Sequence, residues 1–476
     1  MAFSVKTDVV IRAKRTCLGL VEDFNGLDDA VGPDTRAKDV PEQTVLPAFD
    51  DTNTHMIFAG LSQFDVPVHL ATSIDEMTWW PQHCGQLARP QAGAINADTP
   101  TPADGKIGRS TNSRLNGHLQ DQAMVPTLCL MPPATLEDRI SGLESTSAAY
   151  AASGIGCVRD CAVPVTDLPI LSAARAAGKL HVRTRALVSA IGLTSVGAVA
   201  GLVDQMEEYR HLQRDEWLSV WGVKFVLDGG IEAIATMEGY VGRPDEGCCV
   251  ATDFCGVLVG YRQDTRGHGR CGWRIGTDAY GDRAIETLLG VYEKIQQRHP
   301  HLAPGSLVME HGGLADAGTQ ARAVAMGIPV TIQLPLLHDV AAIQALYIGE
   351  ERTARLFPAR SWLDAGAIVG GGSDYPIGKF GAMRSVWVMT TRESVAGVVG
   401  PEHIIKSHEA VALHTTEAAR LLRETDSRGD LTPGKVADIT IWPRDPLAVS
   451  DPYDLRDLEP TYTIIGGELK HEPKTT

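Results

Sequence analysis

Five polar side chains stand where apolar strand-like runs end, and this arrangement constrains the fold more than any other feature of the chain. They are His55, Lys224, Asp278, His311 and Asp374, in the segments LPAFDDTNTH, VKFVLDGG, WRIGTDAYGDRAI, SLVMEH and IVGGGSDYP. In a barrel of parallel strands, all the carboxyl ends of the strands meet at one face, where side chains of these types can bind metal ions. The order of the five segments therefore predicts a barrel with a metal site at its mouth.

Strand-like and helix-like segments alternate through the middle of the chain, which is typical of parallel βα units. The clearest unit runs from the strand GWRIGT through the loop DAYGD to the helix RAIETLLGVYEKIQ, whose apolar residues share one face. The two terminal stretches instead contain short β-like pieces such as VKTDVVIRA and ADITIW. We predict an α/β fold in which residues 47–414 form the barrel. Residues 1–46 and 415–476 together form a small composite β-sandwich, because neither stretch can build a core alone.

One long segment departs from this alternation. Residues 81–117 are rich in Pro, Gly, Asn and Thr and show no period, which predicts a long loop over the barrel mouth. Trp79 and Trp80 precede this segment, and His338 follows the predicted seventh strand in LPLLHD. We expect all three to line a substrate pocket. The two tryptophans have the alternative of packing in the hydrophobic core.

The net charge indicates which classes of binding partner are unfavourable, and the cysteine pattern indicates the redox environment. Lys and Arg number 43 against 59 Asp and Glu, a net charge of −16, which disfavours nucleic acid and anionic membranes. We see no run of about 18 apolar residues for a membrane span, and no signal peptide. The nine cysteines include no C-x-x-C pair, which favours reduced thiols. We therefore expect a cytoplasmic protein with a small-molecule substrate, no nucleic-acid or membrane partner, and a homodimer as one allowed assembly.

Each candidate residue also has an ordinary structural explanation. Asp51, Asn53 and His55 are spaced two residues apart and point the same way in an extended strand, but a polar turn would have the same sequence. Lys224 interrupts the apolar strand VKFVL and is costly to bury as a cation. It either reaches solvent at the strand end or is carboxylated to a carbamate that bridges two metal ions. His311 could be a satisfied core histidine, and Asp374 a turn residue as well as a ligand or proton carrier.

The motifs resemble those of the metal-dependent amidohydrolase superfamily, in particular the subgroup with YtcJ-like amidohydrolases and N-substituted formamide deformylases. The matching segments are VLPAFDDTNTH, GVKFVLDGG, DAYGDRAI, MEH, GGSDYP and LTPGKVADITIW. The resemblance implies a (β/α)8 TIM barrel with a β-sandwich. It also implies hydrolysis of an amide, formamide, urea or lactam-like C–N bond at one or two divalent metal ions. Asn53 replaces the first histidine of the family's H-x-H motif, and Asp278 replaces its fifth-strand histidine.

The same resemblance implies a role for each residue. One metal ion would be held by His55, carboxylated Lys224 and Asp374, with Asn53 near it, and a second by Lys224, Asp278 and His311. Zinc is preferred, with manganese or cobalt as alternatives. Asp374 would take a proton from the attacking water and pass it to the leaving nitrogen. The competing hypotheses are a non-hydrolytic or C–O- or C–Cl-cleaving member of the superfamily, and a binding protein with a degenerate metal site.

Overall fold

The computed structural model describes residues 7–16, 31–62, 98–101, 105–110, 113–121, 134–230, 233–247 and 273–473. The chain divides into two compact units, one made of Met1–Phe58 with Leu143–Thr476 and the other of Ala59–Gly142. Within the described ranges, no helix has the length and apolarity that crossing a bilayer requires.

Eight parallel strands form the centre of the larger unit, in the order β12-β11-β10-β9-β8-β7-β6-β3. They are β3 (Phe49–Thr54), β6 (Ile155–Val163), β7 (Arg183–Ser189), β8 (Leu218–Val226), β9 (Arg274–Ala279), β10 (Leu307–His311), β11 (Val330–Ile332) and β12 (Val369–Gly371). The first and last strands of this order, β12 and β3, lie close together. The backbone N–H of Asp374, just after β12, donates to the carbonyl of Asn53 in β3 at 2.9 Å. The predicted α/β barrel is confirmed.

The strands read as apolar runs because helices and the barrel interior bury both of their faces. In β8, for example, every residue from Leu218 to Phe225 is buried. The predicted helix after the fifth barrel strand is present as Asp282–Arg298, with Ile285, Leu288 and Tyr292 among its buried residues.

The α-helices of the described residues follow the strands along the chain. They are α1 (Met56–Ser62), α2 (Leu136–Ala152), α3 (Leu168–Ala176), α4 (Val196–Met206), α5 (Asp282–Arg298), α6 (Ala317–Ala325), α7 (Leu334–Ala354), α8 (Ala359–Asp364), α9 (Ala382–Thr391), α10 (Ser407–Leu413) and α11 (Thr416–Leu422). A short hairpin, β13 (Glu393–Ser394) with β14 (Gly397–Val398), follows α9.

Both ends of the chain contribute to a second sheet of five strands, in the order β1-β2-β15-β16-β17. These strands are β1 (Thr7–Thr16), β2 (Val31–Pro47), β15 (Ile439–Trp442), β16 (Tyr462–Ile465) and β17 (Glu468–His471). Val40, Val45 and Ile441 form its buried apolar cluster. The two termini therefore share a core, as the fold prediction requires, while the exact domain boundaries stay a prediction.

Part of the segment that the sequence predicts as an irregular loop forms an antiparallel pair of strands. These are β4 (Gly105–Arg109) and β5 (Leu115–Asp121). Ser113 has a positive φ of 63°, and the Ser110 N–H donates to the Arg114 carbonyl at 2.8 Å, which closes the turn. The loop prediction is wrong for these residues because backbone pairing compensates for their weak apolar pattern. Residues 63–97, with Trp79 and Trp80, lie outside the described residues.

A buried ion pair crosses the barrel interior. Arg159 of β6 donates from Nη1 and Nη2 to the carboxylate of Glu310 in β10, at 2.9 and 2.6 Å. Both side chains are 0% exposed, and the guanidinium lies 4.2 Å from the ring centre of Trp221. Gly276 of β9 leaves the space that the pair needs. A methyl group there would lie 2.3 Å from Glu310 Oε1 and 2.8 Å from Arg159 Nη2.

Gly276→Ala is therefore expected to lower the free energy of unfolding by roughly 3 kcal/mol, because the added methyl displaces a fully buried ion pair. Urea denaturation measures this change. Gly290→Ala is the matched control, since its new methyl would meet only Arg322 Nη2, at 3.9 Å. Alanine in a helix should leave stability unchanged or raise it by about 0.5–1 kcal/mol. Equal effects of the two substitutions would contradict this account.

Candidate metal centre

The five side chains singled out in the sequence all lie at the C-terminal ends of barrel strands. Lys224 is in β8, Asp278 is in β9, and His311 is the last residue of β10. His55 follows β3 directly, and Asp374 lies three residues beyond β12. Because the strands are parallel, these positions share the barrel mouth. The structure arranges them in two contact groups.

The first group pairs His55 with Asp374. The imidazole Nε2 lies 3.1 Å from Asp374 Oδ1, and Nδ1 lies 2.5 Å from the Cys161 carbonyl oxygen. A carbonyl oxygen can only accept, so Nδ1 carries a proton and donates it there. Nε2 and the carboxylate oxygen can then approach only if a proton or a metal ion lies between them. Burial lowers the pKa of His55, but the Asp374 carboxylate more than offsets this and raises it.

The second group places Asp278 between Lys224 and His311. Asp278 Oδ1 lies 2.7 Å from Lys224 Nζ and 3.2 Å from His311 Nε2. His311 Nδ1 is 2.8 Å from Gln333 Oε1, so this imidazole also presents Nε2 to a carboxylate. Burial lowers the pKa of His311, but Asp278 more than offsets this and raises it to about 9. Burial acts to raise the pKa of Asp278, yet Lys224 and His311 hold it well below its usual range.

The two contact groups consist of donor atoms of the types that divalent ions bind. Zinc holds nitrogen and oxygen donors at about 2.0–2.2 Å, so neighbouring donors in a tetrahedral site stand roughly 3.3–3.6 Å apart. The observed separations of 3.1 Å for His55–Asp374 and 3.2 Å for His311–Asp278 are hydrogen-bond distances, slightly shorter than this range. In both imidazoles the other nitrogen is tied to an oxygen acceptor, the usual support of a ligating histidine. The donor sets therefore fit a divalent ion.

No three His, Cys, Asp or Glu side chains in the described parts of the chain are close enough to hold an ion as they stand. Each contact group supplies only two such donors. A site with three or more ligands thus requires Lys224 to ligate as a carbamate, or the two groups to move together. The nitrogen of an ammonium has no lone pair for a metal ion.

Asn53 is fixed by one side of its amide. Nδ2 donates to Glu310 Oε2 at 3.0 Å, which settles the orientation of the amide. Its Oδ1 atom is buried and has no hydrogen-bond partner among the described residues. An unsatisfied buried acceptor costs about 1–3 kcal/mol, so this oxygen is the atom of Asn53 that a metal ion or a water would satisfy.

Hydrogen bonds connect the interior ion pair to the candidate metal-ligand residues. Glu310 Oε2 accepts from Thr331 Oγ1 at 2.9 Å, in addition to the Asn53 amide. Thr331 Oγ1 accepts from Gln333 Nε2 at 2.9 Å, and Gln333 Oε1 contacts the His311 imidazole. Sequence reasoning missed Arg159, Glu310, Thr331 and Gln333 as site residues. A charged residue within each of the apolar strands IGCVRDCAV and LVMEH was the signal that could have found the first two.

Two of the candidate ligand residues have a strained backbone. His311 has φ 72° and Asp374 has φ 60°, in the left-handed region that residues with a Cβ rarely adopt. Such conformations persist only where the surroundings enforce them, and they cluster at functional sites. Here the Asp374 N–H is bonded to the Asn53 carbonyl, and the His311 N–H donates to Thr331 Oγ1 at 3.3 Å.

Three buried aspartates, of which the sequence singled out Asp51, hold the loops that carry these residues. Asp51 accepts from the backbone N–H and hydroxyl of Ser373 at 3.0 and 2.6 Å, next to Asp374. Asp160 accepts from the N–H of Ile57 at 3.1 Å, close to His55. Burial raises the pKa of Asp51 to about 7, because its hydrogen bonds only partly offset desolvation. The third, Asp228, accepts at 2.9 Å from the N–H groups of Ala235, Tyr280 and Gly281.

His338 has a different set of neighbours. Its Nδ1 lies 2.8 Å from the Glu393 carbonyl oxygen, and its ring centre lies 5.1 Å from that of Trp387. Neither neighbour belongs to the two contact groups. Its predicted part in substrate binding stays a prediction, and Trp79 and Trp80 fall outside the described residues.

Known proteins resemble this chain in sequence. The model of the amidohydrolase family matches residues 82–470. The N-substituted formamide deformylase of Arthrobacter pascens is 24% identical over 514 aligned residues, which cover 93% of this chain and 91% of the relative. YtcJ of Bacillus subtilis (strain 168), named as an amidohydrolase, is 25% identical over 405 residues, 80% of this chain and 70% of that protein.

Solved structures show the same fold. A metal-dependent hydrolase from Pyrococcus horikoshii superimposes with a TM-score of 0.69 at 19% identity, covering 87% of this chain and 89% of that one. Zinc-bound atrazine chlorohydrolase TrzN from Arthrobacter aurescens TC1 superimposes with a TM-score of 0.55 at 14% identity, covering 96% and 90%. At these identities the likeness concerns the fold alone. The match to the family model spans most of the chain, however, and it confirms the resemblance seen in the motifs: the chain is a hydrolase that belongs to the amidohydrolase family.

Proposed function

We propose that the protein is a metal-dependent amidohydrolase that hydrolyses a C–N bond in a small amide, formamide, urea or lactam. One observation carries this proposal. At the barrel mouth, two imidazoles whose Nδ1 atoms are bound to oxygen acceptors place Nε2 at 3.1 and 3.2 Å from carboxylate oxygens, which brings together the donor types and the supporting hydrogen bonds of divalent-ion sites. The name of the relative from Arthrobacter pascens makes N-substituted formamides the first substrates to test.

The ligand sets follow from the two contact groups. His55, Asp374, the free oxygen of Asn53 and carboxylated Lys224 would hold one ion, and Lys224, Asp278 and His311 a second. A bound divalent ion, preferably zinc with manganese or cobalt as alternatives, would polarise the substrate carbonyl and make a water molecule more acidic.

Asp374 is the acid–base residue of this proposal. Its carboxylate lies beside the His55 imidazole, and its backbone N–H is held by the Asn53 carbonyl. From this fixed position it accepts a proton from the attacking water and returns it to the nitrogen that leaves as an amine.

Lys224 becomes a ligand by reacting with carbon dioxide. The neutral amine forms an N–C bond, a proton leaves to solvent, and the resulting carbamate carries one negative charge on two oxygens. The Lys224–Asp278 ion pair opposes this reaction: burial lowers the pKa of Lys224, but the Asp278 carboxylate more than offsets this and raises it. A divalent ion would favour the carbamate because it takes over the Asp278 carboxylate.

Metal analysis tests the proposal directly. Protein purified without chelator should contain one or two zinc, manganese or cobalt ions per chain by mass spectrometry. Lys224→Ala should lose most of this metal together with hydrolysis, and added short carboxylic acids should restore part of both. Lys294→Ala, an exposed lysine on α5, is the matched control and should change neither. Full activity and metal content in Lys224→Ala would refute the bridging role.

Asp374→Asn should keep at least one metal ion and yet lose roughly 10²-fold or more in kcat, the usual contribution of a general acid–base group. N-alkylformamides, amides, ureas and lactams should be assayed in ¹⁸O-labelled water. Hydrolysis places the label in the carbonyl product, whereas a lyase or isomerase reaction does not. Asp364→Asn, at an exposed position on α8, should retain normal turnover. Normal turnover in Asp374→Asn would assign the proton transfer to another residue.

The stability of the metal-free protein should depend on pH through His311. Its pKa in the folded protein is about 9, above the ordinary value of 6.5, so the folded state holds this proton more tightly than the unfolded state. The stabilisation is complete below pH 6.5 and is lost as pH rises toward 9, by up to roughly 3 kcal/mol. Urea unfolding across this range measures the loss, which His311→Gln should abolish. Saturating zinc should also flatten the curve, because the ion takes the place of the proton on Nε2. A flat curve in the metal-free parent protein would contradict the assignment.

A further inference from the structure

Tyr280 carries a buried hydroxyl without a hydrogen-bond partner among the described residues. Its side chain follows β9 and belongs to a residue only 4% exposed. Native proteins pair nearly all of their buried polar groups, because an unpaired one costs stability. An orphaned hydroxyl in the core of a folded protein therefore calls for a specific reason.

The other buried tyrosines of the described chain show the usual pattern. The hydroxyls of Tyr150, Tyr240 and Tyr292 each have a partner within the protein. They contact Thr54 Oγ1 at 2.5 Å, the Ile234 carbonyl at 2.8 Å and the Val308 carbonyl at 3.0 Å, respectively. Tyr280 is the exception, although it is buried to the same degree.

The rest of Tyr280 is held firmly. Its N–H donates to Asp228 Oδ1 at 2.9 Å, and its carbonyl accepts from the Leu314 N–H at 2.9 Å. Its ring centre lies 5.2 Å from that of Phe357, edge to face. Gly313 lies so close that a methyl group there would be 3.1 and 3.3 Å from two carbons of the ring. The phenol is thus fixed in place, with its one donor unused.

Tyr280 lies beside residues of the candidate metal centre. Tyr280 is two residues beyond Asp278, and its ring centre lies 5.5 Å from that of His311. Burial and the carboxylates of Asp374 and Asp228 all raise the pKa of Tyr280, so the phenol keeps its proton. A buried phenol that packs against a candidate ligand histidine, with its hydroxyl unpaired, is placed to meet an oxygen atom that none of the described residues supplies.

We propose that Tyr280 is a further catalytic residue, whose hydroxyl donates a hydrogen bond to the carbonyl oxygen of the substrate. This inference rests on the proposed function. The same hydrogen bond strengthens as that oxygen gains negative charge during attack by water. A fixed donor of this kind stabilises the transition state more than the substrate, and its removal commonly slows an acyl-transfer enzyme by about 10²–10³-fold.

Tyr280→Phe tests the proposal, with Tyr292→Phe as the matched control. Both changes remove one hydroxyl from a buried ring. In zinc-loaded protein, Tyr280→Phe should lower kcat/KM for N-benzylformamide by about 10²-fold. It should also weaken the binding of methylphosphonate, a small tetrahedral anion, by about 10-fold or more in calorimetry. Metal content should stay unchanged in both variants, and Tyr292→Phe should leave turnover and phosphonate affinity as in the parent.

Thermal unfolding of the metal-free proteins supplies a readout that does not depend on activity. Tyr280→Phe should unfold at or above the temperature of the parent, because it removes an unpaired group. Tyr292→Phe should unfold at a temperature several degrees lower, because it removes the hydrogen bond from the Tyr292 hydroxyl to the Val308 carbonyl. Equal turnover and phosphonate affinity in the parent and Tyr280→Phe would overturn the role of Tyr280 alone. A parent that neither hydrolyses the panel nor binds methylphosphonate would overturn the proposed function, and this inference with it.

Discussion

The ion pair between Arg159 and Glu310 sets the arrangement of the barrel interior. Both side chains are fully excluded from solvent, so neither charge could persist there without the other. Two guanidinium nitrogens serve the carboxylate, and Nη1 also donates to the Thr52 carbonyl at 3.0 Å. Removing one partner from such a pair typically costs about 3–5 kcal/mol, because the other remains buried and uncompensated. Gly276 makes the pair sterically possible, because any side chain at this position would clash with Glu310 and Arg159.

Hydrogen bonds connect this ion pair in the barrel interior with the candidate metal centre. Glu310 accepts from Asn53 and from Thr331, and Thr331 in turn connects with Gln333 and the His311 imidazole. The acceptor on one nitrogen of each site histidine decides which nitrogen faces the mouth. The donor atoms are thereby oriented before any ligand arrives. Asn53 fits this network, because its amide donates to Glu310 through Nδ2 and leaves Oδ1 without a hydrogen-bond partner among the described residues.

The opposite end of the barrel also contains buried charged residues, and these form arginine–aspartate ion pairs that stabilise the fold. Arg183 of β7 binds the carboxylate of Asp438 at 2.7 and 2.9 Å, just before β15. Arg428 binds Asp50 through two nitrogens at 3.0 and 2.8 Å, which joins the segment after α11 to β3. The first of these buried bidentate pairs connects the barrel with the start of a terminal-sheet strand, and the second fixes the segment after α11 to the barrel. The division agrees with the usual organisation of such barrels, in which chemistry occupies the carboxyl ends of the strands and the other face provides stability.

The sequence by itself determined the alternation of strands and helices, the helix Asp282–Arg298 and the placement of the five polar residues at strand ends. These properties depend on local periodicity, which a chain shows before it folds. Only the tertiary structure decided which side chains meet. His55 and Asp374 are 319 positions apart and come together because the barrel closes. The partners of Glu310, the carbonyl that orients His55 and the unpaired hydroxyl of Tyr280 likewise follow from strand register and packing. No local pattern encodes those distances, because each is set by strands that are remote in sequence and adjacent only in the closed sheet.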